Sequence, residues 1–506
     1  MKKPLLLCVA LGLLLGTSAC HDNLYQDPQT SKTLGAFLRN ETEVEEYVSA
    51  VYGTLQSQSL YGLYLPAITE IPSDNTYDEV PANDDGIYGQ LDQFTTIPSN
   101  AVVTSVWQAS YQGIQRANVV LNRIGGVTYA SSATRDARVG EMKFIRALLY
   151  FNLVRLYGDV PLVTQETTDP NTYFGQGRTP VAQVYTQIIK DLTEAAPVLP
   201  ATVSQAGRVR QTAAQALLAK VYLTQRNYAA ALPLLQGIVA GGRHALQGNP
   251  ADVFSLPNEN NSEIIFAVQF ASGVNGNSEG SIAYQQFSPS GTVSGAKGHN
   301  LPTKSLYALY ASPDRRKDTY VAVTSSGTPY LRKLSAPTTV ITDGGSNAVV
   351  LRYADVLLML AEVQNELATP ADAAPFLNLV RTRAGLAATT ATTQATLRTA
   401  IALERRLELV GEGQRWFDLL RTGAAISVMN NFFQASGILV TIDSHNLLMP
   451  VPQAQVNTDP SILQNAGYFQ PSTKNRKLVM LSWPKHLYRF IRAVQRHERD
   501  ASAGSA

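Results

Sequence analysis

The sequence predicts a mainly α protein: tetratricopeptide-like helix pairs form a scaffold, and an irregular, loop-rich lobe containing short strands interrupts it. Three observations predict this. Apolar residues recur at three- and four-residue spacing over long stretches of both halves of the chain. Those stretches are bounded by Gly, Pro and small polar residues, which start and stop helices. Between them, residues 241–349 lose that period and become dense in Gly, Ser and Asn.

The chain opens with Lys2 and Lys3, an apolar run over 4–15, and the small residues Gly16, Thr17, Ser18 and Ala19 before Cys20. That run is too short to span a bilayer and has the flanks of a secretory signal. A cysteine directly after such a site predicts a bacterial lipobox. Residues 1–19 therefore read as signal peptide and Cys20 as the lipid attachment site. Thr17 stands where an aliphatic residue is usual, and a plain cleaved signal is the alternative. Cys8 leaves with the signal, so the exported chain holds one cysteine and no disulfide. Its stability must come from its core or a partner. Residues 20–40 form a polar tether.

Helical periodicity begins near Glu41, with Val44, Tyr47, Val48, Val51 and Leu55 on one face. It collapses over 61–100, a loop insertion rich in Pro, Asp, Asn and Tyr. Helices resume over 103–124 and 133–157, the latter stopped by Gly158 and Pro161. A further helix over 181–199 ends at Pro200. Residues 211–224 and 228–239 form a helix–turn–helix across Gln225-Arg226-Asn227. Small residues (Ala213, Ala216, Ala219, Ala231) alternate there with large ones (Leu217, Tyr222, Tyr228). This lets two helices approach closely, as in tetratricopeptide units. Helices return over 351–366, 370–384, 394–410 and 414–421, and 447–468 is loop-like. The organisation is an N-terminal helical region 41–240, the irregular lobe 241–349, a C-terminal helical region with its ending loop 350–468, and a basic tail 469–506.

Composition bounds the function. The chain is 45% hydrophobic and 16% charged, with a formal net charge of +2. Residues 474–500 alone carry eight Lys/Arg against two acidic residues, which leaves the body mildly acidic. Such a body does not fit a nucleic-acid partner. The six histidines (His21, His244, His299, His445, His486, His497) are scattered, so no zinc site is expected. Asp74-Asn75, Asp78-Glu79 and Asn83-Asp84-Asp85 could offer oxygens to calcium, but such residues are ordinary turn formers, and no metal or cofactor is assigned. A glycosidase would need two carboxylates flanking the scissile bond, and nothing in the sequence sets such a pair apart. The Gly-rich stretch 273–280 lies between irregular segments and reads as a flexible loop. The chain is expected to bind rather than to catalyse.

Several helices carry recognisable wording. They are Glu141-Met142-Lys143-Phe144-Ile145-Arg146-Ala147 through Phe151-Asn152-Leu153-Val154-Arg155-Leu156-Tyr157-Gly158-Asp159-Val160-Pro161, the Ala213-to-Tyr222 helix, and Leu351-Arg352-Tyr353-Ala354-Asp355 through Glu362. Val380-Arg381-Thr382-Arg383-Ala384-Gly385-Leu386 follows, then Glu404-Arg405-Arg406 to Gln414-Arg415-Trp416-Phe417-Asp418-Leu419, then Pro450-Val451-Pro452 ending in Gln464-Asn465-Ala466-Gly467-Tyr468. In this order they resemble the SusD/RagB family, over residues 20–468 with the lipobox.

The resemblance implies four tetratricopeptide-like helix pairs plus an irregular lobe. It implies capture of glycans, less often peptides, at the surface of the outer membrane, reached through the N-terminal lipid. The partner it implies is a SusC-like TonB-dependent transporter, over which the lipoprotein closes as a lid. The shared motifs are scaffold, so Arg146, Tyr157, Arg352, Glu404, Arg415, Trp416 and Asp418 are expected to hold helices together. Ligand contacts in the family come from variable loops, among them the one after the first helix, here 61–100. Sugars want flat aromatic faces and planar polar groups. Asp74, Asn75, Tyr77 and Tyr88 fit that description there, with Tyr284 and Phe287 in the irregular lobe. A surface glycan hydrolase and a helical-repeat protein–protein adaptor are the alternatives. The 38 residues after Tyr468 depart from the family's usual ending and read as an unstructured extension.

Overall fold

The computed structural model describes residues 37–468; Cys20, most of the tether and the basic tail lie outside the described residues. The first helices start where a side chain satisfies their free backbone N–H groups. Asn40 accepts from the Glu43 N–H to open α1 (Glu41–Gln56). Asn100 accepts from the N–H groups of Val102 and Val103 to open α2 (Ala101–Arg123). Ser131 accepts from Thr134 to open α3 (Ser132–Tyr157), which stops at Gly158 with φ 73°. There follow α4 (Val181–Ala195), α5 (Gln211–Thr224) and α6 (Tyr228–Ala240). After the irregular lobe come α7 (Tyr353–Glu366), α8 (Pro370–Arg383), α9 (Gln394–Glu408), α10 (Arg415–Thr422) and α11 (Ala425–Ser436).

From α1 to α8 each helix packs on the next in chain order, and α7 also takes α9. The expected fold class stands: stacked helix pairs with small strands between them. Small residues set the spacing. A Cβ on Gly113 of α2 would meet Leu149 Cδ1 of α3 at 2.6 Å, so a larger residue there requires Leu149 to shift. Buried polar groups fix the pairs laterally. Arg146 of α3 makes a two-pronged bond to Asp191 of α4 (2.7 and 2.8 Å) and donates to Asn118 Oδ1 of α2 (2.7 Å). The Tyr157 hydroxyl donates to Val103 O (2.7 Å). Lys220 of α5 and Arg405 of α9 meet on Asp355 of α7, each at 2.8 Å. These are the scaffold roles expected of the shared motifs. Trp416 fits the same expectation, 1% exposed and packed on Phe94.

The lobe is held by two-stranded antiparallel ladders. They pair β1 (Thr76–Tyr77) with β3 (Leu301–Pro302), β2 (Ile264–Val268) with β6 (Ala348–Arg352), and β4 (Val321–Val323) with β5 (Pro329–Leu331). Here the sequence reading needs correction. Leu351 and Arg352 end a strand rather than start a helix, because β6 pairs with the buried β2. An apolar run alone cannot distinguish the two states. The helix expected over 181–199 stops at Ala195 and closes in a turn, and α11 was not foreseen.

At the junction of lobe and scaffold lies a buried ion network. Glu408 accepts from Arg316 (3.0 Å), Arg352 (2.7 Å) and Arg383, and its carboxyl is held far below the usual range by those cations against the opposing effect of burial. Such pairing offsets the cost of taking these charges out of water.

Candidate cleft between the scaffold and the irregular lobe

A half-enclosed cleft with about 1090 Å³ of empty volume, its mouth included, lies where the lobe meets the scaffold. Phe151, Asn152 and Arg155 from the last turns of α3 form one wall, beside Leu217 and Lys220 of α5. Opposite stand Phe270, β6 residues 348–351, and the short helical turn Ala283–Phe287, which carries Tyr284 and Phe287. Tyr61, Leu65, Pro66 and Thr69 of the loop insertion reach it, and Gly411 to Gln414 with Phe417 make the floor.

The floor is pinned from beneath. Glu70, fully buried, accepts the N–H groups of Gly411 (2.9 Å) and Gly413 (3.0 Å), and burial raises its pKa. Glu412 is clamped by Arg352 (2.7 Å) and Lys333 (2.6 Å). Burial opposes its charge, yet those two cations keep the carboxyl below its ordinary range. The lobe wall is tied to the insertion by Ser281, whose hydroxyl donates to Gly62 O (2.7 Å). Across from it, Arg155 lies between the rings of Phe151 and Phe417, each 3.7 Å from the guanidinium carbon.

Of the residues expected at a ligand, Tyr284 and Phe287 line this cleft. Tyr284 is partly exposed, whereas Phe287 is buried and backs the wall. Tyr77 is half-buried on β1, outside the cleft lining. The expectation that Asp74, Asn75 and Tyr88 face a ligand is corrected by their burial, at 3%, 0% and 2% exposure. Asp74 makes a two-pronged bond to Arg415 (2.7 and 2.9 Å) and pairs with Arg406 (2.9 Å). Asn75 accepts from Arg406 Nε (2.8 Å) and donates to Glu70. Tyr88 stacks on the His299 ring (centroids 3.9 Å apart). His299 in turn bridges Asp78 (2.9 Å) and Asp84 (2.7 Å). These side chains fasten the insertion to the C-terminal helices and the lobe.

Sequence reasoning missed Arg155, Lys220, Asn347 and Gln414 as cleft residues. The first two sit inside scaffold motifs, and no local pattern marks the others. One spacing was also passed over: Gly276-Asn277-Ser278-Glu279-Gly280 matches G-x-S-x-G. It is no nucleophile elbow, since it lies within a run of turns and is not the sharp turn joining a strand directly to a helix, and Ser278 Oγ donates to Asn275 O. Among the described residues, no group of three or more His, Cys, Asp and Glu is arranged to hold a metal ion.

Comparison with known proteins then decides the family. The signature described as SusD family matches residues 312–468, and the one described as "Starch-binding associating with outer membrane" matches residues 29–223. The chain belongs to the SusD family. SusD-like protein P25 of Formosa agariphila is 27% identical over 520 residues, spanning 90% of this chain and 98% of its own. A SusD-like protein of Bacteroides ovatus is 25% identical, over 83% of this chain and 82% of its own. Among solved structures, a laminarin-binding SusD-like protein is 29% identical with a TM-score of 0.75, covering 85% of this chain and all of its own. Surface glycan-binding protein A of Bacteroides thetaiotaomicron, solved with laminarihexaose, shares the fold at 23% identity and a TM-score of 0.73, over 84% of this chain and 99% of its own. No helix among the described residues of this SusD family member is long and apolar enough to cross a membrane.

Proposed function

We propose that this protein captures a glycan at the cell surface and passes it, uncleaved, to a SusC-like TonB-dependent transporter in the outer membrane. The observation that carries the reading is the cleft itself. It combines aromatic rings with a few polar groups, the mixture that small-ligand sites use. Tyr284 presents a partly exposed ring for the C–H face of a sugar, with Phe287 behind it. Gln414, partly exposed, donates through its amide nitrogen to Glu412 O and keeps its amide oxygen for a hydroxyl, whereas the amides of Asn152 and Asn347 are held within the protein. The laminarin-binding relative supports a glycan as the ligand class.

Binding without hydrolysis is supported by the cleft's chemistry. Glycoside hydrolysis needs an acid and a base or nucleophile, both carboxyl groups able to exchange protons or attack. The carboxylate in the described lining is that of Glu412, and Arg352 and Lys333 already hold it. Lipid attachment at Cys20 would keep the cleft at the outer membrane, next to the transporter.

The test is a binding screen of the purified protein against polysaccharides, oligosaccharides and peptides, with product release followed in parallel. Binding without release supports capture, and turnover moves the hydrolase reading to the front. A peptide as sole ligand changes the nutrient class. Cys20→Ala is expected to move the protein from the membrane fraction to the soluble one; retention at the surface overturns the anchor.

A further inference from the structure

Buried cations in this scaffold have carboxylate partners. Arg146 pairs with Asp191, Arg316 with Asp314 and Glu404, Arg352 with Glu263 and Glu412, and Arg405 with Asp355 and Asp418. Arg155 is built differently. Its Nε donates to Phe151 O (2.9 Å) and its Nη2 to Asn152 Oδ1 (2.7 Å), both neutral acceptors. Its Nη1 makes no hydrogen bond among the described residues, and none of their carboxylates forms an ion pair with it. Asp418, whose charge it feels, is taken up by Arg405 (2.9 Å) and Arg421 (2.8 Å).

Two stacked phenyl rings fix the plane of the guanidinium and leave its edge for hydrogen bonding. Burial lowers its pKa to about 10, so the group is still a cation at neutral pH. The other charges of the lining are committed, Lys220 to Asp355 and Glu412 to Arg352 and Lys333. The cleft therefore carries one positive charge with a free donor and no counter-ion among the described residues.

Resting on the capture reading above, we infer that the cleft takes an acidic glycan and that Arg155 receives its anionic group, a uronate carboxylate or a sugar sulfate. Both present paired oxygens to a guanidinium edge, and such charge-assisted bonds are about twice as strong as neutral ones.

The full-length protein is titrated by calorimetry with three sets of probes: oligogalacturonate and its methyl ester, a sulfated galactan and its desulfated form, and laminarihexaose as a neutral glycan. The expected result is binding of one acidic probe, weakened at least tenfold in its neutralised counterpart. Uronate and sulfate are told apart by which pair responds. Arg155→Gln is expected to remove the same factor for the acidic probe, measured beside its melting curve. The wild-type comparison of each acid with its neutralised form does not depend on the variant folding. If laminarihexaose or the neutralised forms bind as tightly as the acids, the Arg155 inference is overturned and glycan capture stands. If no glycan of any set binds, both fall.

Discussion

Asp74 separates a structural role from a ligand role in the most exposed way. Its carboxylate is 3% exposed and joins the loop insertion to α9 and α10 through Arg406 (2.9 Å) and the two-pronged bond to Arg415 (2.7 and 2.9 Å). Asp74→Ala leaves two guanidinium groups without it. Removing one partner of a buried pair costs about 3–5 kcal/mol. The side chains of Arg406 and Arg415 keep 16% and 13% exposure, so water recovers part of this, and a loss of about 2–3 kcal/mol is expected. Urea unfolding at neutral pH measures it, and a double-mutant cycle with Arg415→Leu should return a coupling of about 1–3 kcal/mol. Burial works against the Asp74 charge, but Arg415 and Arg406 hold its pKa below the ordinary value. The stabilisation is thus complete above the unfolded aspartate pKa, about 3.9, and is lost as pH falls toward the folded one. The gap between wild type and variant should close in that acidic range. An Asp74→Ala protein as stable as wild type but unable to bind glycan would refute this reasoning.

Two further outcomes follow from the same corner of the fold. His299 is fully buried between Asp78 and Asp84 and under Tyr88, and the second oxygen of Asp78 has no hydrogen-bond partner among the described residues. His299→Ala is expected to cost about 2–4 kcal/mol by leaving buried carboxylate and ring surface unmatched, read as a lowered urea midpoint; an unchanged midpoint contradicts the node. Burial, with Asp78 nearby, raises Asp92 to about 7. A raised carboxyl contributes stability below its unfolded pKa and loses it as pH rises through about 7. Asp92→Asn should therefore gain on wild type between pH 5 and pH 8, and parallel pH profiles would contradict that.

The scaffold was legible because its information is local. Ala213, Ala216 and Ala219 mark the close face of α5, and Gly158 with Pro161 ends α3; each needs only its neighbours in sequence. The helix start misplaced at Leu351 depends on β2, more than eighty residues away, and local periodicity carries no trace of that partner. The same distance effect hid the site. Asp74 and Asn75 look like ligand residues in a polar loop, until Arg406 and Arg415 arrive from over 330 residues downstream. Tyr284 stood out as an aromatic in an irregular lobe. Arg155 did not, because it sits in a helix whose wording reads as scaffold, and only the folded chain shows that no carboxylate of the described residues pairs with it.

The central claim is that the glycan occupies the cleft between scaffold and lobe. Ala283 lines that cleft, partly exposed, beside Tyr284. Ala283→Trp should fill the space, and titration with whichever glycan binds the wild type measures the effect. At least a tenfold loss of affinity with an unchanged melting curve is the predicted result. Full wild-type affinity in the filled variant would place the ligand elsewhere and contradict the account.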